Sequence, residues 1–313
     1  MQVVLAQPRG FCAGVTRAIE IVERALALHG APVYVFHEIV HNQRVVCDLR
    51  CRGAVFVNDI ESVPAGSTLI FSAHGVATQL VAKARRLGLR TIDATCPLVS
   101  KVHQQAQRFV RMGHTLVMIG QAGHDEVQGT VGRVNAPVYL VSTVKDALAL
   151  DLPADAPLAY VTQTTLSLDD TREVVATLKA RFPQLVGPDV DDICYATQNR
   201  QVAVRALAAR VDRVLVVGAR NSSNSNRLRE VAERAGVPAL LVQEATEIPH
   251  DWLADSGRIG VTAGASTPEL LVQQVIAALS ARHDGLMLPV LQLPGLQEDV
   301  LFRLPAERTG QVA

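Results

Sequence analysis

Residues 67–113 read STLIFSAHGVATQLVAKARRLGLRTIDATCPLVSKVHQQAQRFVRMG, and their pattern decides the fold. Two short apolar runs, at 68–73 and 91–95, are each followed by a longer amphipathic run. In the second of these, over residues 98–112, apolar side chains recur at helical spacing. They are Val99, Val102, Ala106, Phe109 and Val110. Short β-rich runs that alternate with helical runs indicate βαβ units, in which helices cover both faces of a parallel sheet.

The same alternation continues along all 313 residues, a length that exceeds one compact core. In each of three parts of the chain, two strands end in polar motifs and one strand-to-helix junction carries a cysteine. We therefore predict an α/β fold of three similar modules with mostly parallel sheets, arranged pseudo-threefold about one centre. The predicted modules are residues 14–96, residues 97–190, and residues 191–281 together with 1–13, followed by a C-terminal tail at 282–313. The tail carries no motif, and we expect it to pack on a module or to extend into solvent.

Composition excludes several classes of function. Lys+Arg and Asp+Glu number 30 each, so the formal net charge is zero, and aromatic residues make up only 4% of the chain. Nucleic-acid surfaces normally need a basic excess and aromatic platforms, so we expect no nucleic-acid partner. The apolar run that opens the sequence is too short for a membrane span or a signal peptide. We therefore expect a cytoplasmic protein without a membrane partner.

Five cysteines are scattered along the chain, which does not resemble a disulfide framework. Cys12, Cys96 and Cys194 each stand at a strand-to-helix junction in a different module, and three converging thiolates suit a metal centre. The spacing lacks the paired cysteines of a zinc knuckle, and buried structural cysteines are the plain alternative. A [4Fe–4S] cluster with three protein ligands would leave one iron open to a substrate oxygen. Cys47 and Cys51 have no other ligand nearby, and we interpret them as incidental.

Polar side chains at the remaining strand ends favour an anion site. Histidines follow three strands, and hydroxyl and amide groups stand at two further junctions. These residues are His41, His74, His124, Ser222, Ser223, Asn224 and Ser266. Diphosphate has many acceptor oxygens, which these groups, helix N-termini and protonated histidines could satisfy. Structural histidines and a simple helix cap at Ser222 are the alternatives.

Glu126 and Thr164 are candidates for proton transfer. Glu126 lies two residues after His124, and a carboxyl buried near an anion would keep a proton at neutral pH and donate it. Thr164 could relay a proton or hold a substrate hydroxyl. A solvated loop carboxylate and a capping threonine are the alternatives for these two positions.

Together these motifs resemble the 4-hydroxy-3-methylbut-2-enyl diphosphate reductase family. The resembling segments run in unchanged order from about Pro8 to Pro268. They are PRGFCAGVTRAI, HEIVHN, FSAHGV, DATCPLVSKVH, GHDEVQGT, TQTTLS, DDICYATQNRQ, NSSNSNRL and GVTAGAST. The chain departs from the family pattern at Asp125, where the family commonly has proline, and in its extra Cys47 and Cys51.

The resemblance implies three modules around one [4Fe–4S] cluster with three cysteine ligands and one open iron. By this resemblance Cys12, Cys96 and Cys194 bind the cluster, Thr164 contacts the reacting end of a small allylic diphosphate, and Glu126 donates a proton. The diphosphate-binding residues that it implies are His41, His74, His124, Ser222, Ser223, Asn224 and Ser266. It further implies reductive loss of the substrate hydroxyl to give isopentenyl and dimethylallyl diphosphate, with electrons from a ferredoxin or flavodoxin.

Other classes of protein remain as alternatives. A zinc hydrolase would use the histidines as ligands, and a non-catalytic diphosphate-binding protein would have structural cysteines. A dinucleotide-dependent dehydrogenase is disfavoured, because no Gly-x-Gly-x-x-Gly follows a first strand.

Overall fold

A computed structural model describes residues 1–188, 192–253, 256–283 and 287–305. The predicted boundary between the second and third modules at 190/191 and the end of the tail at 306–313 lie outside these residues. The strands are β1 (Gln2–Leu5), β2 (Val33–Phe36), β3 (Ala54–Val57), β4 (Thr68–Phe71), β5 (Arg90–Asp93), β6 (Thr115–Ile119), β7 (Val138–Val141), β8 (Leu158–Thr162), β9 (Arg213–Val217), β10 (Ala239–Val242), β11 (Arg258–Ala263) and β12 (Val290–Gln292). The α-helices are α1 (Ala13–His29), α2 (Gln43–Cys51), α3 (Thr78–Arg86), α4 (Pro97–Arg111), α5 (Asp125–Val131), α6 (Val144–Ala149), α7 (Leu168–Arg181), α8 (Tyr195–Ala208), α9 (Ser223–Arg234) and α10 (Glu269–Ala281). Three short 3-10 helices are Ile60–Ser62, Ala245–Glu247 and Asp251–Leu253.

These strands form three sheets, with strand orders β3-β2-β4-β5, β7-β6-β8 and β10-β9-β11-β1-β12. Every neighbouring pair in them is parallel. The predicted α/β fold with three parallel sheets is therefore confirmed. The sheets have four, three and five strands, so the repeat lies in the motifs at the strand ends and not in the strand number.

The five-stranded sheet explains why its sequence runs are continuously apolar. Along β9, Val214, Leu215, Val216 and Val217 are all fully buried. Leu215 and Val217 pack in one cluster with side chains of α10, whereas Val214 and Val216 pack in another with side chains of α8 and α9. Because helices cover both faces of the parallel sheet, both faces of the strand must be apolar.

The C-terminal tail contributes a strand that the sequence analysis did not predict. In β12, Val290 lies opposite Val3 of β1 and pairs with it in parallel. All three residues of β12 are exposed, so the strand has no apolar alternation that would mark it in the sequence. The first strand of the chain therefore lies between β11 and β12.

The tail is also attached by an ion pair to the interior. Glu298 accepts hydrogen bonds from the guanidinium of Arg200, with N–O distances of 3.0–3.2 Å. Arg200 is fully buried and also donates to the backbone carbonyls of Gly10 and Phe11. The ion pair thus connects the tail to the loop that precedes Cys12. Among the described residues, no helix combines the length and apolarity needed to cross a membrane.

Candidate active site

Three cysteines line one central cavity. Cys12, Cys96 and Cys194 are the N-caps of α1, α4 and α8, respectively, and all three contribute to the wall of this cavity. Cys12 follows β1, Cys96 follows β5, and the backbone N–H of Cys194 donates to the carbonyl of Thr164 beyond the end of β8. The fold therefore brings together thiols that are far apart in the sequence.

The first turn of α1 leaves room for these thiols because residue 14 is glycine. A Cβ at Gly14 would lie 2.7 Å from Sγ of Cys96 and 3.9 Å from Sγ of Cys12. Oγ1 of Thr197 lies 3.2 Å from Sγ of Cys194, within hydrogen-bond distance for sulfur. Any side chain at residue 14 would occupy the space that Cys12 and Cys96 share.

Burial makes the charged forms of these thiols unfavourable. It raises the pKa of Cys96 to about 12 and that of Cys194 to about 11, and a nearby Cys12 thiolate adds to both shifts. The helix N-termini favour thiolates, but here the loss of solvent outweighs them. A bound metal group would offset the charge of deprotonated cysteines.

The donor set and the space around it fit an iron–sulfur cluster. Thiolates are the ligands that such clusters use, and three of them would leave one coordination position free. Cys47 and Cys51 do not belong to this cavity; both are exposed on α2.

Glu126 and Thr164 form a buried hydrogen-bonded pair in the same cavity. Glu126 is the second residue of α5, and it is only 2% exposed. Its carboxyl accepts a hydrogen bond of 2.7 Å from the backbone N–H of Thr164 and one of 3.0 Å from the Thr164 hydroxyl. Burial raises the pKa of Glu126 to about 7, and the charge of Asp192 adds to this shift. The carboxyl can therefore hold and release a proton near neutral pH.

The three predicted histidines form one cluster against this cavity. The rings of His41 and His74 are stacked with their centroids 4.1 Å apart. The His124 ring stands edge-on to both, at 5.5 and 5.8 Å. These residues lie in the loops after β2, β4 and β6, which explains why side chains from two sheets meet here.

Two of these histidines differ from the expectation of protonated rings. Burial lowers the pKa of His124 to about 4 and that of His74 well below its usual value, and neighbouring histidines add to both shifts. Both rings are therefore neutral at pH 7 in this structure. Nδ1 of His124 accepts a hydrogen bond from the backbone N–H of Glu126, so the neutral ring carries its proton on Nε2.

Hydroxyl and amide groups from loops of the five-stranded sheet complete the wall of the cavity. Ser222, Ser223, Asn224 and Ser266 all line the cavity. Ser222 is the N-cap of α9 and accepts from the backbone N–H of Ser225, so it has the capping role as well. The Ser266 hydroxyl donates to the carbonyl of His41. This hydrogen bond joins loops of the five-stranded and four-stranded sheets at the site. An anion here would meet neutral donors and a helix N-terminus.

The carboxylate of Asp125, which follows His124 and precedes Glu126 in the chain, lies against histidines. It lies 3.0 Å from Nδ1 of His37 and 4.0 Å from Nδ1 of His74. The causes of the raised pKa of Glu126 are burial and Asp192. His41, His74 and Asp125 place ligand atoms within 4.8 Å of one another, so residues that the zinc-hydrolase alternative could use do lie together. The carboxylate of Asp125 is already paired with His37.

Several residues of the site were missed by the sequence analysis. Thr165 and Thr197 line the cavity, and Gln163, fully buried, donates to the hydroxyl of Thr165. Glu38 accepts a hydrogen bond from His41. All four lie inside motifs that were quoted, but their function depends on neighbours from other parts of the chain.

Comparisons with known proteins agree with this arrangement. The family model described as LytB protein matches residues 3–280. The chain is 57% identical to 4-hydroxy-3-methylbut-2-enyl diphosphate reductase 2 of Bradyrhizobium diazoefficiens, over 98% of this chain and 99% of that protein. It is 56% identical to the 4-hydroxy-3-methylbut-2-enyl diphosphate reductase of Burkholderia pseudomallei, over 100% of this chain and 99% of that protein.

A solved structure gives the same result. The E-1-hydroxy-2-methyl-but-2-enyl-4-diphosphate reductase from Plasmodium falciparum superposes with a TM-score of 0.92 at 38% identity. The match covers 97% of this chain and 95% of that one. The likeness therefore extends over the whole three-sheet arrangement.

Proposed function

The chain belongs to the LytB protein family, and from this premise we propose that it reduces (E)-4-hydroxy-3-methylbut-2-enyl diphosphate to isopentenyl and dimethylallyl diphosphate. The observation that carries the proposal is a single cavity. Its wall combines three cysteines, a buried Glu126–Thr164 pair, and a set of neutral hydrogen-bond donors suited to diphosphate. This combination supplies the parts that reductive removal of a hydroxyl from a diphosphate ester requires.

Cys12, Cys96 and Cys194 would hold one [4Fe–4S] cluster. When bound, such a cluster supplies electrons one at a time and an iron position open to an oxygen ligand. Gly14 keeps the space beside two of the ligands free of side chain. The one-electron chemistry fits a ferredoxin or flavodoxin as electron donor, and we expect the enzyme to work in the cytoplasm.

The diphosphate would bind at the histidine cluster and at the start of α9. Neutral His124 offers an Nε2–H donor, and hydroxyl and amide groups offer further donors without adding net charge. They are Ser222, Ser223, Asn224 and Ser266. Binding of the anionic end here would leave the other end of a short substrate beside Glu126 and Thr164, which line the same cavity.

The Glu126–Thr164 pair would deliver a proton at that reacting end. Replacement of a carbon–oxygen bond by a carbon–hydrogen bond consumes two electrons and two protons and releases water. The pKa of Glu126, near 7, allows the protonated carboxyl to be present at neutral pH. The Thr164 hydroxyl orients the carboxyl and is itself placed to contact a substrate hydroxyl.

Anaerobic purification with iron and sulfide counting, followed by reduction of the allylic diphosphate with a chemical electron donor, tests the proposal. We expect about four irons per chain, both isomeric diphosphates as products, and loss of iron and turnover in Cys96→Ser. Cys47→Ser, at an exposed position of α2, is the matched control and should retain both. A colourless protein that contains zinc, or a Cys96→Ser variant with full turnover, would contradict the proposal.

A further inference from the structure

Glu38 lies beside the histidine cluster and is held by three polar groups. Its Oε2 is 3.2 Å from Nδ1 of His41 and accepts from the side-chain amide of Asn221 at 2.9 Å. Its Oε1 accepts from the amide of Gln43 at 2.6 Å. The His41 hydrogen bond is the largest cause of a lowered pKa for Glu38, so the carboxylate is charged at neutral pH.

This contact determines which nitrogen of His41 is available to a ligand. A carboxylate accepts only, so Nδ1 of His41 carries the proton in their hydrogen bond. The side-chain amide of Asn221 also lies 3.4 Å from this nitrogen, but it donates to Glu38 at the shorter distance of 2.9 Å. Among the residues that the structure describes, Nε2 of His41 makes no hydrogen bond, and the side chain lines the central cavity. Nε2 is therefore the nitrogen left for a ligand, and it donates to phosphate oxygen only when the ring is protonated at both nitrogens.

The three histidines of the cluster are not equivalent in this respect. Nδ1 of His124 accepts from a backbone N–H, which leaves a donor on Nε2 of the neutral ring. Nδ1 of His74 lies 3.3 Å from the hydroxyl of Ser72, and its nearest carboxylate, Asp125, is at 4.0 Å. Within the described part of the cluster, His41 alone has a carboxylate within hydrogen-bond distance of its ring.

We propose that Glu38 is a positioning residue that holds His41 with its Nδ1–H on the carboxylate and thereby presents a charged Nε2–H donor to the diphosphate. This inference rests on the proposed function, because it names the group that orients one of the diphosphate-binding residues. A carboxylate, a protonated imidazole and a phosphate in series form a charge-assisted chain, which is stronger than its neutral counterpart. Asn221 precedes Ser222, the N-cap of α9, and its side-chain amide holds the carboxylate from the side of the five-stranded sheet.

Glu38→Gln tests the charge while keeping an acceptor at the same place. The probe is inorganic diphosphate, titrated into the anaerobic holoenzyme by calorimetry. We expect its dissociation constant to rise roughly tenfold in Glu38→Gln, with a similar rise in KM for the allylic substrate and kcat within about twofold. Asn221→Ala should act in the same direction by about two- to threefold, since it only loosens the carboxylate.

Glu61→Gln is the matched control in the same part of the chain. Glu61 is 59% exposed and pairs with Lys83 on the surface, so the control should bind inorganic diphosphate like the wild type. Iron content should be equal in all variants. A fall in kcat with loss of iron in Glu38→Gln would instead indicate a structural role and would overturn the proposal.

The pH profile provides a readout that a packing role would not move. The pH dependence of inorganic diphosphate binding should differ between wild type and Glu38→Gln, because only the wild type has a charged carboxylate beside the His41 ring. The charged and titratable groups that face His41 are Glu38, His74, His124 and Asp125. Of these four groups, only Glu38 is changed in Glu38→Gln.

Equal binding by wild type and Glu38→Gln at every pH would overturn the inference and leave the reductase proposal intact. Conversely, the holoenzyme could show the predicted difference in inorganic diphosphate binding between wild type and Glu38→Gln and yet not reduce the allylic substrate. That result would contradict the proposed function and leave the inference about Glu38 standing.

Discussion

At the scale of single residues, Glu126 shows how burial turns a carboxyl into an acid for neutral pH. The two hydrogen bonds from Thr164 favour the ionised form and lower the pKa, yet the loss of solvent raises it further, to about 7. Burial is the larger contribution and therefore decides the direction of the pKa shift. The hydrogen bonds from Thr164 are the smaller contribution, and they hold the carboxyl in place.

Glu126→Gln should lower kcat about a hundredfold or more, because the amide cannot donate the proton that the carboxyl holds. In the wild type, kcat should fall as pH rises above about 7, where the acid form is lost, and this limb should be absent from the residual activity of the variant. Steady-state kinetics between about pH 6 and about pH 9 check this expectation. An unchanged kcat would remove Glu126 from the mechanism.

The same substitution should stabilise the fold at high pH. The folded protein holds the Glu126 proton up to a pKa of about 7, whereas the ordinary value is 4.5, so folding stability falls as pH rises through this window. The variant has no such ionisation, and we expect it to gain roughly 2–3 kcal/mol relative to the wild type above this window. Denaturant unfolding of both holoenzymes on either side of the window measures the difference; equal gains at both pH values would contradict this explanation.

At the scale of elements, the site is built from helix starts. α1, α4 and α8 each begin directly after a cysteine, and α9 begins directly after Ser222. Before α1, α4 and α9 the chain leaves a strand at the carboxyl edge of a sheet, and the capping residue lines the central cavity. The helix α8 differs from the sequence expectation, because it follows α7 in the chain, and the backbone N–H of Cys194 reaches this edge through the carbonyl of Thr164.

Gly14→Ala should impair this arrangement without disturbing the helix. Alanine normally stabilises a helix interior relative to glycine by about 1 kcal/mol, but here its Cβ would lie 2.7 Å from Sγ of Cys96. We expect unchanged helix content by circular dichroism together with less iron per chain. Thr16→Ala, at an exposed position of the same helix, is the control and should retain its iron.

Elements and motif positions could be predicted from sequence because they are local. Alternating apolar runs and helix-start signals marked the strands, the cysteines, Glu126 and the histidines. The role of Glu38 could not be predicted, because Asn221 and the central cavity come from distant segments. The strand β12 was missed because its side chains are exposed, and the neutral state of His74 and His124 follows from burial that no local pattern encodes.

At the scale of the whole molecule, the tail and the interior are joined at Arg200. This fully buried guanidinium is shared between Glu298 and the carbonyls of the loop before Cys12. The tail therefore supports a segment that carries one of the three thiols, although it contributes no side chain to the cavity wall within the described residues.

Glu298→Ala should destabilise the protein by roughly 3 kcal/mol, because it leaves a buried charge without its partner. It should also speed the loss of iron in air, since the loop before Cys12 becomes less restrained. Asp299→Asn, at the exposed neighbouring position, is the control. Wild-type stability and iron retention in Glu298→Ala would show that the carbonyls alone satisfy Arg200.

The place of β1 between β11 and β12 has a consequence for biosynthesis. The four-stranded and three-stranded sheets can form during translation once β5 and β8 have emerged from the ribosome, whereas β1 must wait for β11 and β12 to be made. Cys12, which follows β1, is thus the earliest of the three site cysteines to be synthesised and the last to reach its final position. We therefore expect the three site cysteines to come together only after β11 and β12 have been made.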